Sequence, residues 1–178
     1  MKRLNSVLFF IVILSFGCSS SDYTKTVSHV DLDRFFKKWY VIAGRLTFLE
    51  EGAHNAVEEY KFNIDRQRID INFYFKQDSF DGKTKKIPQK AWVENTKSNA
   101  HWKVSPFWPL KFDYFVIALA EDYSWTAIGV PNKKYLWIMA DDWDINESQL
   151  QDMISKIHSA GYPTHDIIRV PQQWKKNL

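Results

Sequence analysis

Lys37-Lys38-Trp39-Tyr40-Val41-Ile42-Ala43 and, about seventy residues later, Asp113-Tyr114-Phe115-Val116-Ile117-Ala118-Leu119 are two runs of one character: a polar lead, an aromatic residue, then apolar and β-branched residues. Such runs suit strands better than helices. The clearest alternation lies between them, in Ile69-Asp70-Ile71-Asn72-Phe73-Tyr74-Phe75, where Ile69, Ile71, Phe73 and Phe75 share one face and Asp70 and Asn72 the other. Comparable runs at 39–47, 56–63, 90–94, 100–104, 114–120, 124–130 and 135–140 bring the number of expected strands to eight. The connections are short and rich in turn formers, among them Asp65-Arg66-Gln67, Asp81-Gly82 and Pro131-Asn132. Successive strands therefore pair as antiparallel neighbours.

Eight antiparallel strands in up-and-down order predict a closed all-β barrel with room for one small ligand. One segment departs from the period of two. Leu150, Met153, Ile154 and Ile157 follow i, i+3, i+4, i+7 spacing, so residues 146–157 read as an amphipathic C-terminal helix packed outside the barrel. Asn146 and Gln149 form a capping-box pattern, and Gly161 with Pro163 supplies the stop. A shorter helical turn over Asp31 to Phe36 leads into the first strand and plugs the narrow end.

The chain has 178 residues, 16% of them aromatic, from thirteen Phe, eight Tyr and eight Trp, which suits one domain with a large apolar interior. Lys2 and Arg3 precede the apolar run Val7 to Leu14, which is about half the ~20 residues needed to span a bilayer. That pattern reads as a cleaved export signal over residues 1–17. Without Lys2 and Arg3 the formal charge falls from +3 to +1, which excludes a nucleic-acid-binding profile. Cys18 is the sole cysteine, so no internal disulfide forms. Its place directly behind the signal resembles the lipobox of bacterial lipoproteins, although Phe16 occupies a position usually held by a small residue. The resemblance implies a lipid on Cys18, a tether over residues 18–29, a barrel over 30–174, a tail over 175–178, and a lipid-anchored location at the outer membrane. Ser19, rather than Asp, agrees with that sorting.

Taken together, Val30 to Ala43, Asp113 to Leu119 and Tyr135-Leu136-Trp137-Ile138-Met139 resemble the lipocalins, in particular the bacterial outer-membrane lipoprotein lipocalins and their apolipoprotein D-like relatives. The resemblance covers about Val30 to Trp174, and it implies that Trp39 closes the barrel floor. Two departures stand out. Lys37 occupies the glycine position of the family's Gly-x-Trp motif. Asp141 occupies the place of an arginine that stacks on the floor tryptophan, and an aspartate cannot supply that cation.

With Trp39 inward, alternation sends Val41 and Ala43 inward on the first strand and Ala56, Glu58, Tyr60 and Phe62 on the second. Ile69, Ile71, Phe73 and Phe75 line the third strand, Ala91, Val93, Trp102 and Val104 the next two, and Tyr114, Val116 and Ala118 the sixth. The expected ligand-binding set is Trp39, Val41, Glu58, Tyr60, Phe62, Ile71, Phe73, Phe75, Trp102, Phe107, Tyr114 and Val116. For each of these, plain core packing is the competing explanation. Glu58 is the sharpest of them, because a carboxylate among aromatics must be paired or orient a ligand head group. A one-residue slip would instead turn Glu59 and Lys61 inward. Phe107, Trp108, Pro109 and Leu110 form an apolar loop beside the mouth, placed to touch a membrane or a ligand tail, or to fold over the rim.

Other chemistry is poorly supported. Asp142-x-Asp144-x-Asn146 begins like a calcium loop but has Glu147 and Met153 at its two diagnostic positions. The five histidines lack paired ligand spacing, and no nucleophile elbow, phosphate loop or dinucleotide fingerprint occurs. No metal, cofactor or catalytic residue is expected. The leading reading is a membrane-anchored binding protein for a fatty acid, lysophospholipid or similar apolar molecule, serving lipid transport, storage or membrane maintenance. Two others stay open: an enzyme on a lipophilic substrate, with Glu58 or Tyr60 as its catalytic group, and an interaction lipoprotein whose barrel is filled by its own aromatics. Self-association into a homodimer is also left open.

Overall fold

The computed structural model describes residues 22–175. The export signal and Cys18 lie outside the described residues, as do residues 176–178 of the expected tail. Eight antiparallel strands form the barrel: β1 Lys38–Arg45, β2 Ala53–Asn63, β3 Arg68–Gln77, β4 Thr84–Val93, β5 His101–Ser105, β6 Phe112–Leu119, β7 Trp125–Gly129 and β8 Leu136–Ala140. They pair in sequence order, and β1 closes the ring by pairing with both β8 and β2. A two-residue strand, β9 Ile168–Arg169, adds to β1. The expected eight-stranded barrel is therefore present.

The helix α2, Glu147–Ser159, lies outside the barrel. Asn146 accepts from Gln149 N while Gln149 reaches back to Asn146 N, and Gly161 ends the helix at φ +83°. Leu150, Met153 and Ile157 are buried against Tyr40, Ile42, Val57, Ile117 and Ile138 on the barrel's outer face. Beyond the helix, Tyr162 lies so close to Gly129 that a Cβ there would stand 2.6 Å from its ring. From that position its hydroxyl accepts from Val130 N and donates to the Tyr135 carbonyl, which ties α2 to the turn between β7 and β8.

Apolar residues thus fall into two layers, one inside the barrel and one between barrel and helix. This explains why Trp39-Tyr40-Val41-Ile42 is buried on both faces. Two β-bulges correct the expected interior. Pairing shifts between Val41 and Ala43, so Ala43 opposes the outward Ile138 and joins the helix-facing layer. A second shift between Val116 and Ala118 turns Ala118 outward in the same way. One extra residue on one strand reverses every later side chain, and a period-two reading cannot register it.

The fourth strand begins at Thr84 rather than Lys90. Its first half, Thr84-Lys85-Lys86-Ile87-Pro88-Gln89, lacks an apolar face and contains a proline. It is held as a strand by β3, whereas β5 pairs only from Lys90 onward.

Candidate functional site

The floor is built around α1, Leu32–Phe35, capped by Asp31. Phe35 is fully buried, with its ring 5.4 Å from Trp39, 5.5 Å from Tyr60 and 5.3 Å from Trp102. The Trp39 indole donates to the Phe35 carbonyl at 2.9 Å, and Trp102 donates to the Asn99 carbonyl at 2.7 Å. An aromatic column rises from this base: Trp102 stacks on Tyr114 at 5.7 Å, and Tyr114 on Trp137 at 6.4 Å. The lower barrel is therefore filled by its own side chains.

Glu58 points inward, in the register that alternation from Trp39 requires; Glu59 points outward and accepts from Tyr74. Tyr60 donates to the Glu58 carboxylate and shares a short hydrogen bond with Tyr114, whose hydroxyl lies 3.4 Å from the same carboxylate oxygen. Burial pushes the Glu58 carboxyl up to about 7; the Tyr60 hydrogen bond opposes that rise, nearby Glu50 adds to it, and Tyr114 opposes it again. Burial also drives both tyrosine hydroxyls well above their usual range. The upward shift moves the Glu58 titration from the acid range toward neutral pH.

Glu50 is a second inward carboxylate absent from the sequence reading. It accepts from Thr47 N at 2.7 Å and from the Trp137 indole at 2.9 Å, and burial raises its pKa. Its signal was the capping-box pattern Thr47-x-x-Glu50.

Above the column the barrel opens into a cavity of about 530 Å³. Tyr114 and Trp137 belong to its wall, together with Val104, Gln89, Phe48, Phe112 and Tyr135. Phe107 also borders it and is half-exposed. The ligand set expected from sequence is thus divided by depth. Trp39, Val41, Glu58, Tyr60, Ile71, Phe73, Phe75, Trp102, Tyr114 and Val116 are all buried, whereas only Tyr114 and Phe107 border the cavity. Phe62 is a correction: it is 47% exposed and stacks on Phe36 outside the closed end, because β2 runs past the floor before it turns. Phe48, Phe112, Tyr135 and Trp137 were missed as cavity residues. Period-two alternation on β8 marks Trp137 as inward with Met139, but nothing in the sequence shows how far the loops fold over the mouth.

A family model of the lipocalin-like domain matches residues 30–172. The chain is a lipocalin. It is 28% identical over 168 residues to the outer membrane lipoprotein Blc of Vibrio cholerae, covering 93% of this chain and 97% of that protein. Blc of Escherichia coli K12 is 28% identical over 166 residues, covering 92% and 91%. Temperature-induced lipocalin-1 of Arabidopsis thaliana is 24% identical over 155 residues, covering 83% and 82%. The fold matches insecticyanin of the tobacco hornworm Manduca sexta with a TM-score of 0.63 at 13% identity, covering 88% and 87% of the two chains. Lobster apocrustacyanin A1 matches at 0.61 and 11% identity, covering 80% and 79%.

In this lipocalin the two floor departures resolve each other. Lys37, at the glycine position, places its Nζ 4.3 Å from the centroid of the Trp39 ring, donates to the Tyr123 carbonyl at 2.7 Å and pairs with Asp141 at 2.9 Å. The cation that the arginine would bring from after β8 comes instead from the entrance to β1, and Asp141 is its counter-ion. No glycine is needed there: Lys37 has no positive φ, and its N–H bonds the Phe35 carbonyl as α1 ends. Lys37→Met and Asp141→Asn are expected to show a favourable coupling of about 0.5–1 kcal/mol in a double-mutant cycle read by urea unfolding, since the pair is partly exposed.

Proposed function

We propose that this lipocalin is an envelope lipoprotein, held by a lipid on Cys18, that carries a single-chain lipid such as a fatty acid or lysophospholipid. The mouth cavity is the observation that supports the reading. Its volume is in the range of small-molecule sites, and its wall is mostly aromatic and aliphatic with few polar groups. Asp113 at the wall is already paired with Lys103 and His101, both at 2.6 Å, so it does not stand as a bare charge against an acyl chain. The filled lower barrel sets a depth limit, so the chain end of the ligand rests on Tyr114 and Trp137 and its head group stays at the rim. The Blc similarity supports an outer-membrane location. The Glu58 cluster is read as a buried polar network beneath the ligand, and the protein as a carrier rather than a catalyst.

Native mass spectrometry of detergent-free protein lacking the lipid anchor, followed by organic extraction, tests the carrier role. A stoichiometric fatty acid or lysophospholipid is the expected result. An empty protein that shows no saturable binding of a fluorescent fatty acid sinks the proposal and favours an interaction role.

A further inference from the structure

The lip of the barrel is unusually apolar for a surface. Phe48 is 80% exposed, Trp108 69% and Leu110 56%, and Phe107 and Phe112 are each about half exposed. Phe107, Trp108 and Leu110 belong to the connection from β5 to β6, and Phe112 opens β6 directly after it. Lys111, in the same connection, and Lys134, in the neighbouring turn between β7 and β8, are exposed, and Lys133 beside it is partly so. Asp22 is the exposed carboxylate that borders the same cavity. Large aromatic and aliphatic side chains interleaved with lysine are the composition of a surface that enters the headgroup region of an anionic bilayer.

A second observation is independent of composition. From Tyr23 onward the segment assigned to the tether is not free: it runs along the barrel from mouth to floor. Tyr23 N donates to the Pro131 carbonyl in the turn between β7 and β8 at 2.7 Å, and the Tyr23 hydroxyl donates to the Ala160 carbonyl. At the other end Val30 N donates to the Ser98 carbonyl and Asp31 N to the Tyr123 hydroxyl, both on the floor side. The chain therefore enters the domain at the open end. Cys18 is four residues before Asp22, a separation that spans at most ~14 Å.

We infer that the open end of this lipocalin docks against an anionic lipid bilayer, mouth toward the membrane, with the rim of Phe107, Trp108, Leu110 and Phe112 in the headgroup region. A Cys18 anchor that reaches so short a distance holds the mouth to the surface and keeps the floor in the aqueous phase. The ligand then exchanges between bilayer and cavity without crossing bulk water. The inference rests on the lipoprotein reading for its anchor and on the rim for its contact.

The mature lipidated protein has no free thiol once Cys18 is in a thioether, so one introduced cysteine can be labelled with an environment-sensitive fluorophore. Trp108→Cys at the rim and Asp65→Cys in the floor turn are to be compared in phosphatidylcholine vesicles containing phosphatidylglycerol and a nitroxide-labelled lipid. The expected result is blue-shifted, strongly quenched emission at position 108 and unquenched, water-like emission at 65. Equal quenching, quenching at 65 alone, or a dry signal at 108 without vesicles overturns the inference, the last in favour of a rim-to-rim homodimer. If mass measurement finds Cys18 unlipidated, flotation decides: the unlipidated chain should float with the same vesicles, and Trp108→Ser with Leu110→Ser should reduce that binding about tenfold. Absence of flotation, or flotation unchanged by the two substitutions, overturns it. Fluorescent fatty acid binding measured in solution on the same variants separates this outcome from failure of the carrier role.

Discussion

Trp39→Ala should destabilise the protein by about 3–5 kcal/mol, the range for removing a large aromatic from a core that cannot close around the space. Trp39 is wholly buried, and four separate features meet on it: the Phe35 ring, the Phe35 carbonyl, the Lys37 ammonium and pairing across β1 to Glu58. Collapse around the space is blocked, because α1 is held by its Asp31 cap and Trp102 by its own hydrogen bond. A chain of this size loses about 2–4 °C in Tm per kcal/mol, so a fall of about 10 °C is expected in thermal unfolding. Trp39→Phe keeps a ring against Phe35 but leaves a buried carbonyl without its donor, and should lose about 1–3 kcal/mol. Trp108→Ala, at an exposed tryptophan, should leave Tm unchanged within error; a comparable fall there would mean that the rim is structural.

The second large effect concerns pH. Glu58 has a folded pKa raised from 4.5 to about 7, first of all by burial. A carboxyl raised in the folded state favours the fold fully only below its unfolded pKa. Its contribution is lost as pH climbs from about 4.5 through about 7, and at pH 8 the protein carries the whole penalty of a buried carboxylate. A shift of this size corresponds to ~3 kcal/mol. Glu58→Gln keeps the acceptor for Tyr60 without the charge. It should match the parent at pH 4.5 and exceed it by about 2–3 kcal/mol at pH 8 in urea unfolding, with Glu50, whose pKa is also raised by burial, leaving a slope of the same sign. Equal pH profiles would show that Glu58 is hydrated in solution.

Much of this architecture was legible because its causes are local. Alternation in Ile69 to Phe75, the 3–4 spacing of Leu150, Met153, Ile154 and Ile157, and the Asn146 cap are short-range patterns tied directly to backbone geometry, and each reappears in the structure. The inward direction of Glu58 followed from the same parity, carried across from Trp39. Alternation failed where the backbone inserted a residue, at the bulges that turned Ala43 and Ala118 outward, and where a strand has no apolar face, in Thr84 to Gln89. Glu50 was overlooked because a buried carboxylate on a single turn of 3-10 helix, Phe48–Glu50, has no periodicity to announce it.

The sequence by itself determined the strand order, the external helix, the floor tryptophan and membership of the lipocalins, since these rest on spacing and on residues adjacent along the chain. Tertiary structure alone decided three things: that the aromatic column from Trp102 to Trp137 fills the lower barrel, that the open volume lies at the mouth, and that Lys37 supplies the cation over Trp39. Each depends on side-chain volumes and charges brought together from strands far apart in sequence, and such contacts exist only once β1 has closed the barrel against both β2 and β8.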